Sequence, residues 1–286
     1  NDYLIISYYT DGVLIVDGSR PENLVEVGNF DTFIPASTGF QGAWGAYPFL
    51  PSGLILVSDI GDGLFVLEPN YVRACWLEGK VTDATSGDPI LDARVNILNE
   101  LPLERTNVTG EYATGLATAG TYEVEVRKHG YNPVTATVEL MNGEVTIQDF
   151  ELTIQPSFIF NGKVVEAETG NPVPDAIIEI STDGYEELFA SDGNGDFILD
   201  PFFSETYKIW VGKWGYKTAL IDNIEIDENN NETIIELERG IEDVFELDLG
   251  WTVDGTASFS QGAFELGDPV NAAVETPFGE IIIQTG

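Results

Sequence analysis

The chain reads as all-β, a series of small antiparallel domains, and three observations predict this. Val, Ile, Thr and Tyr recur in short segments broken by Gly, Pro, Asn and Asp, while helix formers never accumulate in runs. Residues 79–95, GKVTDATSGDPILDARV, return as 162–178, GKVVEAETGNPVPDAII, at a constant offset of 83. Downstream the match resumes at an offset of 85, where Tyr122 and Lys128-His129-Gly130-Tyr131 align with Tyr207 and Lys213-Trp214-Gly215-Tyr216. Two residues of slack between matched ends are a loop insertion, so the repeating unit is a whole domain.

At 286 residues there is room for about two to three domains. A hydrophobic content of 43% lets each bury a core. No run approaches the ~18–20 apolar residues of a membrane span, so no membrane insertion is expected. The formal charge of −37, from 49 acidic and 12 basic residues, repels nucleic acid and anionic membranes and sets both aside as partners. The same charge is compatible with extracellular surroundings or divalent cations, although solvated acidic faces account for it as simply. Cys75 stands alone, forbids an internal disulfide and reads as a buried small hydrophobe beside Trp76. Opening at Asn1 without Met or a signal peptide, the chain is expected to be an internal or processed piece.

Within residues 1–70, LIISYYTDGVLIVD (4–17) matches ILVSDIGDGLFVLE (55–68) at an offset of 51. Each copy is strand, Asp-Gly turn, strand, a strong hairpin signal, and Leu24–Gly28 adds a third strand after the first. A period near 50 with three or four strands per unit fits propeller blades, yet two units cannot close a ring. GVLIVDGSRPENLVEVGNFDT (12–32) resembles the LVIVD-type repeat of secreted bacterial β-propellers. Residues 39–69, with Gly42-Ala43-Trp44, Tyr47-Pro48-Phe49 and Asp62-Gly63-Leu64, resemble the last blade of the choice-of-anchor B family. The resemblance implies that 1–70 holds the C-terminal blades of an incomplete propeller.

Residues 74–153 and 157–239 are the twin modules. Each opens on a strand ending Gly-Lys-Val, turns through Thr85–Pro89 or Glu168–Pro172, and continues as the alternating strands Arg94–Ile97 or Ile177–Ile180. A polar hairpin leads to Gly110-Glu111-Tyr112 or Gly195-Asp196-Phe197, then to Tyr122–Val126 or Tyr207–Val211. About seven strands in ~80 residues predict a small sandwich. The G-K-V…G-x-P…D-A opening and Lys-x-Gly-Tyr ending resemble the carboxypeptidase regulatory-like family, which implies two tandem transthyretin-like β-sandwiches. That family accompanies peptidases, receptors and adhesins without doing the chemistry, so it implies a spacer or interaction role. Residues 243–286, opening DVFELDLGWTV, resemble the start of a jelly-roll, MAM-like or carbohydrate-binding-like domain. Short linkers are expected near 70–74, 154–157 and 239–243.

Catalytic constellations fail for want of parts. His129 is the single His, and the second module has Trp214 at its place, which marks a turn or packing position rather than a general base. One His and no Cys pair cannot assemble a peptidase zinc site. With 49 acids, carboxylate pairs are uninformative, and no phosphate-binding glycine motif occurs. One stretch is metal-like: Asp192, Asn194 and Asp196 have the D-x-N-x-D spacing of a calcium loop. Against calcium as a cofactor, Phe197 replaces the loop glycine, Phe203 stands where the bidentate Glu belongs, and Asn107–Glu111 keeps little of the pattern. An ordinary hairpin turn is the other reading. Asn107-Val108-Thr109 and Asn231-Glu232-Thr233 fit the N-glycosylation acceptor pattern. The tryptophans, Trp44, Trp76, Trp210, Trp214 and Trp251, lie in or beside strands and are expected in cores.

The sequence therefore predicts a non-enzymatic structural or adhesion fragment of a large secreted, cell-surface bacterial protein. Its partners would be the remainder of its own polypeptide, surface glycans, or other surface and secretion proteins. The alternatives are accessory domains of a secreted hydrolase and a carbohydrate-binding module. The family resemblance implies export by the type IX route.

Overall fold

The computed structural model describes residues 2–33, 40–101, 103–240, 247 and 249, and the backbone of five strands between 252 and 283. The described residues form strands and turns without a helix, so none is long and apolar enough to cross a membrane. The chain divides into two compact units, 1–154 and 155–286.

The first unit begins with two three-stranded antiparallel sheets: β1 (Tyr3–Ser7), β2 (Val13–Asp17) and β3 (Val25–Phe30), then β4 (Ala43–Tyr47), β5 (Ile55–Asp59) and β6 (Gly63–Leu67). Gly12 and Gly63, at φ of 78° and 89°, make the left-handed step of the two predicted hairpins. Ile5, Val13 and Ile15 of the first sheet pack on Ile55, Val57 and Phe65 of the second. Neither sheet has the four strands of a propeller blade.

The same unit continues into a sandwich built from β7 (Cys75–Asp83), β8 (Arg94–Ile97), β9 (Leu103–Arg105), β10 (Glu111–Leu116), β11 (Gly120–Arg127), β12 (Val134–Leu140), β13 (Val145–Ile147) and β14 (Phe150–Leu152). One sheet runs β10-β7-β13 with β14 also on β7, and the other runs β12-β11-β8-β9. Alternate residues such as Val95, Ile97, Val124 and Val126 face inward, as the period-two pattern requires. Cys75 is fully buried among them.

The second unit repeats this order with β15 (Phe158–Glu166), β16 (Ile177–Thr182), β17 (Tyr185–Ala190), β18 (Asp196–Phe202), β19 (Glu205–Gly212), β20 (Ala219–Ile226) and β21 (Glu232–Leu237). Its sheets are β18-β15-β21 and β17-β16-β19-β20, so the duplication seen in the sequence is a duplication of topology. Its core is more aromatic: Phe160 stacks on Phe202 at 5.1 Å and Phe202 on Tyr207 at 4.6 Å. Beyond it come β22 (Thr252–Asp254), β23 (Ala257–Ser260), β24 (Ala263–Leu266), β25 (Ala272–Thr276) and β26 (Gly279–Ile283), paired as β22-β25-β26 and β23-β24. Leu247 is buried beside Gly212. Trp251 and much of the jelly-roll expected over 243–286 lie outside the described residues.

Candidate functional site

The acidic turn joins β17 to β18. Asp192 Oδ1 accepts the backbone N–H of Asn194 at 2.8 Å and of Asp196 at 2.9 Å, an Asx turn that lets the chain reverse. Those two N–H groups, Asp196 first, hold the Asp192 carboxyl below its ordinary value. Gly195 has a φ of 76°, and a Cβ there would meet the Val164 carbonyl oxygen at 2.5 Å, so the turn demands glycine. Lys163 comes across from β15 and donates to the Asn194 carbonyl at 2.8 Å and to Asp196 Oδ1 at 2.7 Å.

The first sandwich builds the same turn from different residues. Asn107 Oδ1 accepts the N–H of Thr109 at 2.9 Å and of Glu111 at 3.0 Å, and Lys80 pairs with Glu111 at 3.1 Å. The sequence hid this equivalence, because Asn107 replaces an acid while supplying the same acceptor oxygen. Calcium takes six to eight oxygens. Here Asp192 Oδ1 is committed to the backbone and an ammonium holds Asp196 and the Asn194 carbonyl, while Phe197 and Phe203 supply no side-chain oxygen. Asp192, Asn194 and Asp196 in this arrangement do not fit the ion. Among the described residues no group of three or more His, Cys, Asp or Glu could hold a metal. His129 and Trp214 occupy the same tight turn, closed by Tyr131 N–H to Lys128 O and by Tyr216 N–H to Lys213 O, each at 3.0 Å.

A second cluster of polar groups sits where the expected 70–74 linker should be. Asp17 is fully buried: Oδ1 accepts from Ser19 and from Arg73 at 2.9 Å, and Oδ2 accepts the Ala74 N–H at 3.1 Å. Burial raises its carboxyl, but the Ser19, Ala74 and Arg73 hydrogen bonds outweigh that and hold it below its ordinary value. Asn23 donates to Glu78 Oε1 at 3.1 Å and to Thr114 O at 3.0 Å, and Trp76 Nε1 donates back to Asn23 O at 3.0 Å. Arg20 grips both Glu78 oxygens at 2.7 and 2.9 Å. Val25, Val27, Ala74 and Trp76 form the apolar part of the same junction. The hairpins and the first sandwich therefore share a core.

Two open grooves flank the junction. One, of about 650 Å³, is bounded by Leu24, Leu101, Thr114 and Tyr122; the other, of about 770 Å³, by Arg20, Lys80, Arg105 and Glu111. Glu104 borders both, and burial pushes its carboxyl up. Sequence reasoning passed over Glu104, and the alternation of Leu103-Glu104-Arg105 on an edge strand was the only signal.

The tryptophans divide. Trp76 is buried, as expected, and Trp210 and Trp214 are half-buried, Trp210 with Lys208 Nζ 4.9 Å from its ring centre. Trp44 departs from expectation: at the register shift between Ala43 and Gly45 it turns outward and is 65% exposed. Tyr9 lies edge-on to it at 6.1 Å and to Phe40 at 5.4 Å.

Residues 77–153 match the carboxypeptidase regulatory-like domain family. No curated protein matches the chain. Among solved structures, a Streptococcal ancillary pilin is similar at 13% identity and a TM-score of 0.36 over 67% of this chain and 76% of that one. The Bacillus anthracis TIE protein is similar at 16% identity and 0.27, over 85% and 50%. The minor pilin of Streptococcus agalactiae is similar at 12% identity and 0.30, over 58% and 97%. Likenesses this distant bear on neither topology nor role.

Proposed function

We propose that the chain is a non-enzymatic structural piece of a secreted, cell-surface protein, in which β-sandwiches space and present neighbouring domains of the same polypeptide. The observation that carries this reading is the junction of the first unit. Asp17, Asn23, Trp76 and Glu78 direct their hydrogen bonds at one another and at backbone, fixing one element on the next. The acidic turns do likewise, with Lys163 and Lys80 in the role a cation would take. The match of 77–153 to a regulatory-like domain supports the same role, and equally a place beside the catalytic domain of a secreted hydrolase.

Residues 157–239 are proposed as a second module of that family, on their shared strand order, and 243–286 as the opening of a further jelly-roll domain. Residues 1–70 are proposed as propeller-type repeats. Their support is strand arithmetic: β5–β6 copies β1–β2, β4 flanks β5 and β3 flanks β2, so a whole unit would have four strands. Purified chain assayed against peptide and glycoside substrates should show no turnover. Hydrolysis abolished by a point mutation within 1–286 would overturn the reading. Exposed Trp44, Tyr9 and Phe40 favour a second reading, contact with surface glycans by ring stacking. A glycan array probed with the chain and with Trp44→Ala tests it, and signal that survives the substitution rejects it.

A further inference from the structure

The two Asp-Gly hairpins of the first unit are copies at an offset of 51, so every residue of β1–β2 has a counterpart in β5–β6. Ile5, Val13 and Ile15 correspond to Leu56, Leu64 and Val66. On the opposite face, Leu4, Ile6, Leu14 and Val16 correspond to Ile55, Val57, Phe65 and Leu67. Within the unit the first hairpin presents Ile5, Val13 and Ile15 to the face of the second that carries Ile55, Val57 and Phe65. Val13 is 2% exposed, Ile55 1% and Val57 0%.

That contact uses one face of each hairpin, and the two faces left over are the same pair again. Leu64 and Val66, counterparts of buried Val13 and Ile15, are 65% and 56% exposed. Leu4 and Ile6, counterparts of buried Ile55 and Val57, are 45% and 36% exposed. Both are apolar sheet faces in a chain carrying a formal charge of −37. The buried contact thus shows what each exposed face is shaped to meet.

We propose that a second copy of this chain docks head to tail, its Leu4/Ile6 face on the Leu64/Val66 face of the first, reproducing the sheet-on-sheet contact that already exists inside the unit. Such an interface is heterologous: each added copy leaves one free face at either end, so assembly passes beyond the dimer. Apolar burial drives it, and the net negative charge opposes it, so added salt strengthens it.

Sedimentation velocity of the full chain over a concentration series, at about 0.15 M and about 0.5 M salt, tests this. The expected result is a mean mass that climbs past the dimer with concentration and climbs further at high salt. Leu64→Glu/Val66→Glu blocks one face and Leu4→Glu/Ile6→Glu the other, so each variant alone is monomeric. Their equimolar mixture forms a heterodimer and nothing larger, because each retains the face the other lacks. If a glutamate variant fails to fold, Leu64→Gln and Leu4→Gln carry the same test in milder form. A monomer at every concentration and salt overturns the proposal. So does an assembly that stops at two copies, or a mixture that stays monomeric.

Discussion

The two sandwiches share strand order and connectivity, and they also share hidden fittings that their aligned letters show only in part. Thr106 Oγ1 accepts the Ala93 N–H at 2.8 Å and donates to Ile90 O; Ser191 Oγ accepts the Ala176 N–H at 2.9 Å and donates to Val173 O. Tyr122 and Tyr207 each donate to a carbonyl four residues back, at 3.0 and 2.9 Å. Asp92 and Asp175 both adopt positive φ, 58° and 52°. The modules part company at the last strand. In the second it is continuous as β21, whereas in the first it breaks into β13 and β14 around Gln148-Asp149. The break leaves backbone groups to satisfy, so Asp149 Oδ1 accepts the Lys80 N–H and Tyr112 donates its hydroxyl to Gln148 O at 2.6 Å. The unbroken copy places Phe197 where Tyr112 stands. The difference teaches that a residue exchange between the copies tracks a hydrogen bond needed in one and not in the other.

Gly79 and Gly162 give the largest expected effect. A Cβ at Gly79 would stand 1.9 Å from the Gln148 carbonyl oxygen, and one at Gly162 would stand 1.9 Å from the Phe197 ring. Overpacking costs roughly 1–3 kcal/mol, and backbone yields less than a ring, so Gly79→Ala should cost about 3 kcal/mol or more and Gly162→Ala less. Denaturant unfolding with hydrogen exchange resolved by sandwich measures both, and equal losses would break the distinction.

Next come the bridging hydroxyls. Thr106→Ala and Ser191→Ala should each cost about 1–2 kcal/mol, because a buried N–H loses its acceptor. The exchanges Thr106→Ser and Ser191→Thr should cost less than either. Tyr112→Phe should cost about 1 kcal/mol by orphaning Gln148 O, while Phe197→Tyr, with no broken strand to serve, should stabilise nothing. Thermal unfolding of the four variants decides this, and a stabilised Phe197→Tyr would contradict the account.

The smallest effect is at the acidic turn. A carboxyl lowered in the folded state contributes stability that is present above its ordinary value of 3.8 and lost as pH falls through the depressed value. Asp192→Asn should leave melting at pH 7 unchanged, since Asn107 does the same work, and should flatten the acid limb of the second sandwich. Asn107→Asp should add an acid limb to the first. Melting curves between about pH 2 and 7 check the pair.

The sequence made the fold legible wherever identical letters served identical backbone demands, as at Gly79/Gly162, Gly110/Gly195 and the two Asp-Gly hairpins. It failed where different letters do one job. Asn107 and Asp192 offer the same oxygen, and Thr106 and Ser191 the same hydroxyl, but alignment by identity separates them. The stretch 70–74 read as a linker because it is short and lies between two repeats. Its anchoring by Asp17 and Asn23 depends on partners over fifty residues away, which no local pattern records. Trp44 read as core because it sits on a strand, and only the register shift turns it outward.

The central claim is that the acidic turns are hydrogen-bonded structure closed by lysine. Its most direct test is thermal unfolding of the full chain in EDTA, in millimolar calcium and in millimolar magnesium, with Asp192→Asn alongside. The account predicts one melting temperature for the second sandwich with either cation, and the same temperature for Asp192→Asn. A rise specific to calcium that Asp192→Ala and Asp196→Ala abolish would contradict it and make the turn a cation site.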